Sequence, residues 1–233
     1  MVMCYRNVEN HIRRLLLNKK VSMIHCEKSF QCCLESLVQD VQYMPLLGID
    51  TETKPNREKG PRNTVELLQV ATTNANVGLF RLSHLPPHCL ASLNDFLRSK
   101  TVVKIGVGLH HDVKVLNEDF DINISNAIEL TDVLKKYVPS GSQPPTYGLK
   151  RLVEWYLSNL GLSKCKRVAL SNWAMPPSYY SQRMIDYAAN DALFPIFIYL
   201  IAVSHLVNFS ETGDFNLNSI VSCINELNKF HVS

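Results

Sequence analysis

The stretch LLGIDTET, residues 46–53, runs from an apolar segment straight into two acids. Leu46 to Thr51 reads as a buried strand, because a short apolar run of this length fits a strand covered on both faces. Strand side chains alternate, so Asp50 and Glu52 point to one face and the intervening Thr51 to the other. Carboxylates placed this deep in an apolar element need a partner.

The same juxtaposition recurs twice further along. Val102 to Val107 reads as a second buried strand, and Gly106 and Gly108 lead into a helix beginning near His110 or His111. Asp112 lies in the opening turn of that helix, where the positive end of the dipole suits a carboxylate. In DYAANDA, Tyr187 and Asp191 are four apart, which stacks them on one helix face. The spacing predicts a long helix starting near Ser178, with that serine as its N-cap. Pro195, four residues after Asp191, cannot donate to the Asp191 carbonyl. It marks either a kink beside the site or a tolerated bend in a core helix.

Taken singly, these groups read as a solvated strand end, a helix cap and a core contact. Taken together they bring four carboxylates to one place, where they repel unless cations lie between them. Two divalent ions about 4 Å apart suit an in-line displacement at phosphorus. Oxygen ligands without thiolate favour magnesium or manganese over zinc. A tyrosine beside such a set, with its ordinary pKa of about 10, suits orienting water better than acting as a base.

GIDTET, KIGVGLHHDVKVL, SNW and YAANDA together resemble the DEDDy exonucleases, most nearly the Werner-type exonuclease domain within the RNase D-like group. The resemblance covers roughly residues 21–205. It implies an α/β, ribonuclease H-like fold, a mixed five- or six-stranded sheet flanked by helices. It also implies a 3′-to-5′ direction and a two-metal mechanism using magnesium or manganese. Asp50, Glu52, Asp112 and Asp191 would be the metal carboxylates, and Tyr187 would position water. Tyrosine rather than histidine at 187 places the chain in the y branch. The implied partner is single-stranded or 3′-recessed nucleic acid, with DNA repair in the nucleus favoured and RNA 3′ trimming kept open. A targeting protein partner and a mitochondrial address also stay open. The rivals are a catalytically silent binding module on the same fold and an endonuclease or phosphodiesterase.

Working outward, residues 1–20 read as an accessory helix in which Arg13, Arg14, Lys19 and Lys20 mix with Ile12, Leu15 and Leu16. Strands are expected at Val21–Cys26, Thr64–Ala71, Asn76–Leu82 and around Ile128–Leu130. Helices are expected at Ser29–Val38, Leu90–Leu97 and Leu149–Leu160. A tail over 206–233 carries apolar residues at helical spacing. Strands come first and helices later around a mixed sheet. A net charge of +3 announces no strongly basic surface, so nucleic acid must be met by a local patch. The candidates are Lys54, Arg57, Lys59 and Arg62 in the loop after Glu52, with His111, Lys104, Lys114, Lys164, Lys166 and Arg167 elsewhere. His110 and His111 read as polar residues at a helix start rather than zinc ligands. Trp173 reads as a packing residue before a base-stacking platform, and Asp132 as structural or solvent-facing. Seven cysteines without zinc-like spacing suit free thiols in a reducing, intracellular compartment. The N-terminus lacks the apolar core of a secretory signal. The longest apolar run, Ala192 to Val203, holds Pro195 and reads as a buried helix rather than a membrane span.

Overall fold

In the computed structural model, residues 2–56, 60–162, 166–204, Ser222 and Ile224 are described. The helices are α1 (Val2–Leu17), α2 (Glu27–Tyr43), α3 (Pro87–Leu97), α4 (Leu109–Phe120), α5 (Leu130–Tyr137), α6 (Leu149–Tyr156), α7 (Lys166–Ala169) and α8 (Gln182–Ala202). The strands are β1 (Lys20–Ile24), β2 (Leu46–Thr53), β3 (Val65–Thr72), β4 (Asn76–Phe80), β5 (Val103–Gly106) and β6 (Ala127–Glu129). They form one mixed six-stranded sheet in the order β1-β4-β3-β2-β5-β6. β2 lies in its middle, antiparallel to β3 and parallel to β5.

Alternation along β2 sorts its side chains between two cores. Leu46 joins Val103, Ile105 and the apolar side chains of α8 on one face. Leu47 and Ile49 join Phe30, Leu37, Leu93, Leu109 and Leu116 on the other. Gly48 points toward α8, and a Cβ there would fall 1.8 Å from the Ala192 carbonyl oxygen. Only glycine lets the strand and the helix approach this closely. The acids that follow are therefore carried on a backbone pressed against α8.

The last helix is long and apolar enough to cross a membrane by length and composition, but 83% of that window is buried in the protein. Its run from Ala192 to Val203 lies wholly in the core, and α8 continues through the buried Pro195. Its N-cap is Ser181, whose hydroxyl accepts from the Met184 amide, and not the expected Ser178. Pro177 opens a separate short turn over 177–179, and Tyr180 is extended, so the helix begins later.

Further boundaries shift from expectation in ways the chemistry explains. α2 starts two residues early and continues past Val38 because Asp40 accepts from Thr72, Asn74 and Asn76 at the β3–β4 turn. α3 begins at Pro87, whose missing amide hydrogen costs nothing in the first turn. α5 was not expected, although Leu130, Val133 and Leu134 are spaced for a helix and are buried. The N-terminal helix, expected as an accessory, places Val8 and Ile12 in the α8-side core. Of the expected tail helix, only Ser222 and Ile224 are among the described residues, and Ile224 is buried in that same core.

Candidate active site

Carboxylate oxygens of Asp50, Glu52 and Asp191 all lie within 4.8 Å of one another. Asp50 and Glu52 come from the α8-facing side of β2, and Asp191 from the turn of α8 that abuts Gly48. β2 and β3 shift register between Glu52 and Thr53, directly after the second acid. Such bulges re-aim side chains beside active sites. Asp191 is almost fully buried, while Asp50 and Glu52 are half-buried. Three negative groups this close, one of them buried, form a cage of hard oxygen donors, and the set fits magnesium or manganese.

Tyr187 lies one turn before Asp191 on α8, with its phenol beside the carboxylates of Asp191 and Glu52. Burial first, then the charges of Asp191 and Glu52, push that phenol well above its ordinary range. It is therefore protonated at neutral pH and has a hydrogen to donate.

Asp112 is not part of the trio. It is buried in the first turn of α4, where Thr51 donates its hydroxyl to Asp112 Oδ1. Thr51 is the residue between the two β2 acids, so it reaches the opposite side of the sheet. Burial raises the Asp112 carboxyl to about 6, against the lowering pull of Thr51.

The family model for 3′-5′ exonuclease matches residues 27–202. The chain belongs to the 3′-5′ exonuclease family. It is 30% identical over 187 residues to exonuclease 3′-5′ domain-containing protein 2 of Drosophila melanogaster, covering 79% of this chain and 30% of that protein. It is 32% identical over 176 residues to the bifunctional 3′-5′ exonuclease/ATP-dependent helicase WRN of Mus musculus, covering 74% of this chain and 12% of that one. The chain thus spans less than a third of either relative. Its fold matches the crystal structure of the Aedes aegypti Nibbler EXO domain with a TM-score of 0.67 at 21% identity, covering 88% and 94% of the two chains. The mixed sheet with flanking helices is the exonuclease architecture of ribonuclease H-like type.

Within this exonuclease fold, the expected basic contacts divide sharply. Lys54, His111 and Lys114 are exposed. Arg62 is committed elsewhere: its guanidinium donates to both oxygens of Asp119 at 2.7 and 2.8 Å and to Glu118 at 2.7 Å. Asp119 also accepts from the Val65 amide, so Arg62 staples the loop onto α4. Lys104 is fully buried in β5 and donates to the Ser99 and Val102 carbonyls, which removes it as a backbone contact. Arg57, Lys59 and Lys164 lie outside the described residues, as do the side chains of Lys166 and Arg167. His110 and His111 are both exposed, and the trio contains no histidine. Asp132 is exposed and pairs with Lys135. Trp173 is fully buried against Tyr187 and Tyr180, so it packs and cannot stack a base.

Two supporting groups escaped the sequence reading. Glu129 Oε2 accepts from the Gly108 and Leu109 amides, capping the helix that carries Asp112. Arg81, at the end of β4, binds the loop that precedes α8. The signal for Glu129 was its place at the end of a strand neighbouring β5. Arg81 offered only a charge in an otherwise apolar run.

Proposed function

We propose that this protein is a metal-dependent 3′-to-5′ exonuclease that hydrolyses phosphodiester bonds from the 3′ end of nucleic acid, DNA in preference to RNA. The observation that carries the reading is the convergence of Asp50, Glu52 and Asp191 within 4.8 Å, with the Tyr187 phenol beside them. Asp50, Glu52 and Asp191 would hold two magnesium or manganese ions, and Asp112, bound by Thr51 on the other side of β2, would fix the strand that carries the first two acids. When bound, such a pair polarises the phosphoryl oxygens and lowers the pKa of water.

The chain's own residues do the rest. Tyr187, protonated at neutral pH and carried on α8, orients the attacking water along the line of displacement. Packing between Gly48 and α8 keeps Asp191 at its distance from the β2 acids. Exposed Lys54, His111 and Lys114 supply backbone contacts without base readout, so binding weakens steeply with salt.

The test uses matched DNA and RNA strands, labelled at either end, with magnesium, manganese or chelator. The expected result is a metal-dependent ladder growing from the 3′ end, with DNA shortened faster. Internal cuts would replace the reading by an endonuclease. No shortening of either strand with either metal would replace it by a silent binding module.

A further inference from the structure

Arg81 is the most heavily engaged buried charge among the described residues, and nothing in the chemistry above uses it. The residue is 1% exposed. Nη1 donates to the Trp173 carbonyl at 2.8 Å, the Met175 carbonyl at 2.6 Å and the Tyr180 hydroxyl at 2.7 Å. Nη2 reaches Glu66 on β3 at 3.3 Å. The Tyr180 hydroxyl in turn donates to the Trp173 carbonyl at 2.5 Å. The guanidinium also lies 5.7 Å from the Tyr180 ring centre. Burying an arginine is costly unless its hydrogens are met, and here Nη1 is met by one loop and Nη2 by Glu66, while Nε finds no partner among the described residues.

That loop leads to the site. Trp173 packs edge-on to Tyr180 at 5.6 Å, and its ring lies 6.3 Å from Tyr187, tilted by 35°. Tyr180 also sits near the trio: burial raises its hydroxyl, Arg81 opposes, and Glu66 and Glu52 add to the rise. We propose that Arg81 is a positioning residue for Tyr187. It pins the 173–180 loop to the sheet, so that Trp173 braces the phenol against Asp191. The structural reason for an arginine is its fork: Nη1 holds the loop while Nη2 reaches Glu66 on β3, and a lysine's single nitrogen cannot span both. In kinetic terms, the inference rests on the exonuclease reading.

The experiment is a double-mutant cycle with Arg81→Lys and Tyr187→Phe, read on DNA trimming. Alone, Arg81→Lys is expected to lower kcat roughly tenfold or more while KM stays within about twofold, as misplacement of a reacting group does. In the Tyr187→Phe background the same change is expected to cost less than about twofold, because the group it positions has gone. Multiplicative losses, or a loss confined to KM, would overturn the assignment.

A second measurement does not depend on turnover. The chain has two tryptophans, and Trp155 is half-exposed, so Trp155→Phe leaves the buried Trp173 as sole reporter. In that background Arg81→Lys should shift the emission to the red and admit acrylamide, well below the melting temperature. Unchanged emission would refute the brace. If Arg81→Lys fails to fold, Tyr180→Phe removes the bridging hydroxyl with little change of shape and runs through the same cycle and quenching. A wild-type protein that trims no strand would defeat the exonuclease reading, and the fluorescence comparison would then decide the brace by itself.

Discussion

On the α8 side of β2, Asp50 and Glu52 stand with Asp191 inside 4.8 Å. On the α4 side, Thr51 donates to Asp112, and Glu129 accepts from the two amides that open α4. Both faces of one strand therefore carry acid, and they do so by opposite means. On the first, backbone packing crowds like charges together, and Gly48 permits it. On the second, directed hydrogen bonds hold each carboxylate in place. Crowded carboxylates suit a cation; bonded ones suit a fixed orientation.

The sharpest way to break this comparison is to substitute once on each face. Asp191→Asn should lower cleavage by about a thousandfold, since metal-ion charge stabilisation is worth several kcal/mol and each 1.4 kcal/mol is tenfold. Without metal, the same variant should melt no lower than the wild type, because one crowded charge has gone. Thr51→Val should cost only about tenfold, one hydrogen bond to a charged group. Equal losses in steady-state trimming would erase the distinction between crowding and orientation.

Packing gives the next largest effect. Gly48→Ala would drive a methyl to 1.8 Å from the Ala192 carbonyl, whereas Gly106→Ala meets the Ile49 carbonyl at 2.8 Å. Overpacking of this kind costs roughly 1–3 kcal/mol. Denaturant melts should place Gly48→Ala at the upper end of that range and Gly106→Ala below it, and only Gly48→Ala should also depress trimming strongly. The reverse order would mean that α8 yields more easily than β5 and does not set the trio.

The legible part of this molecule is the part written in local periodicity. Two-residue alternation put Asp50 and Glu52 on one face, and four-residue spacing put Tyr187 over Asp191; both hold in the fold. Thr51 was correctly aimed away from its neighbours, but its partner Asp112 is 61 residues distant and no local pattern announces the pair. Arg81 is further from its partners still, with Trp173, Met175 and Tyr180 lying 92, 94 and 99 residues on. The basic residues misled for the same reason. A lysine in VVKIG and an arginine in a polar loop look alike on paper, yet one is buried on carbonyls and the other stapled to α4. The start of α8 was missed because Ser178 and Ser181 are equivalent caps until the turn opened by Pro177 separates them.

Lys104 sharpens the comparison from the sheet's interior. Burial lowers its ammonium to about 7 from an ordinary 10.5. Between those values the unfolded chain binds more protons than the folded one, so the lysine's contribution to stability rises with pH and levels off above 10.5. At about 1.4 kcal/mol per unit, the rise from pH 7 to 9 is at most about 3 kcal/mol. Lys104→Met should abolish that slope, as judged by urea melts at the two pH values. A slope that survives would assign the pH dependence to other groups.

Glu129 should give the smallest effect, because two of its roles oppose each other. Its carboxylate stabilises the positive end of α4, a contribution of about 0.3–1 kcal/mol. The same charge also repels Asp112 and helps to raise it. Glu129→Gln keeps an acceptor oxygen for the Gly108 and Leu109 amides, loses the dipole interaction and relieves the repulsion. The melting temperature should therefore fall by only a few degrees and trimming by less than about threefold. Glu129→Ala removes the acceptor as well, leaving two amides bare at the helix start, and should cost about 1 kcal/mol more. If both variants lost activity as steeply as Asp191→Asn, the α4 side would be part of the charge cage rather than its orienting frame, and the two faces of β2 would do the same work.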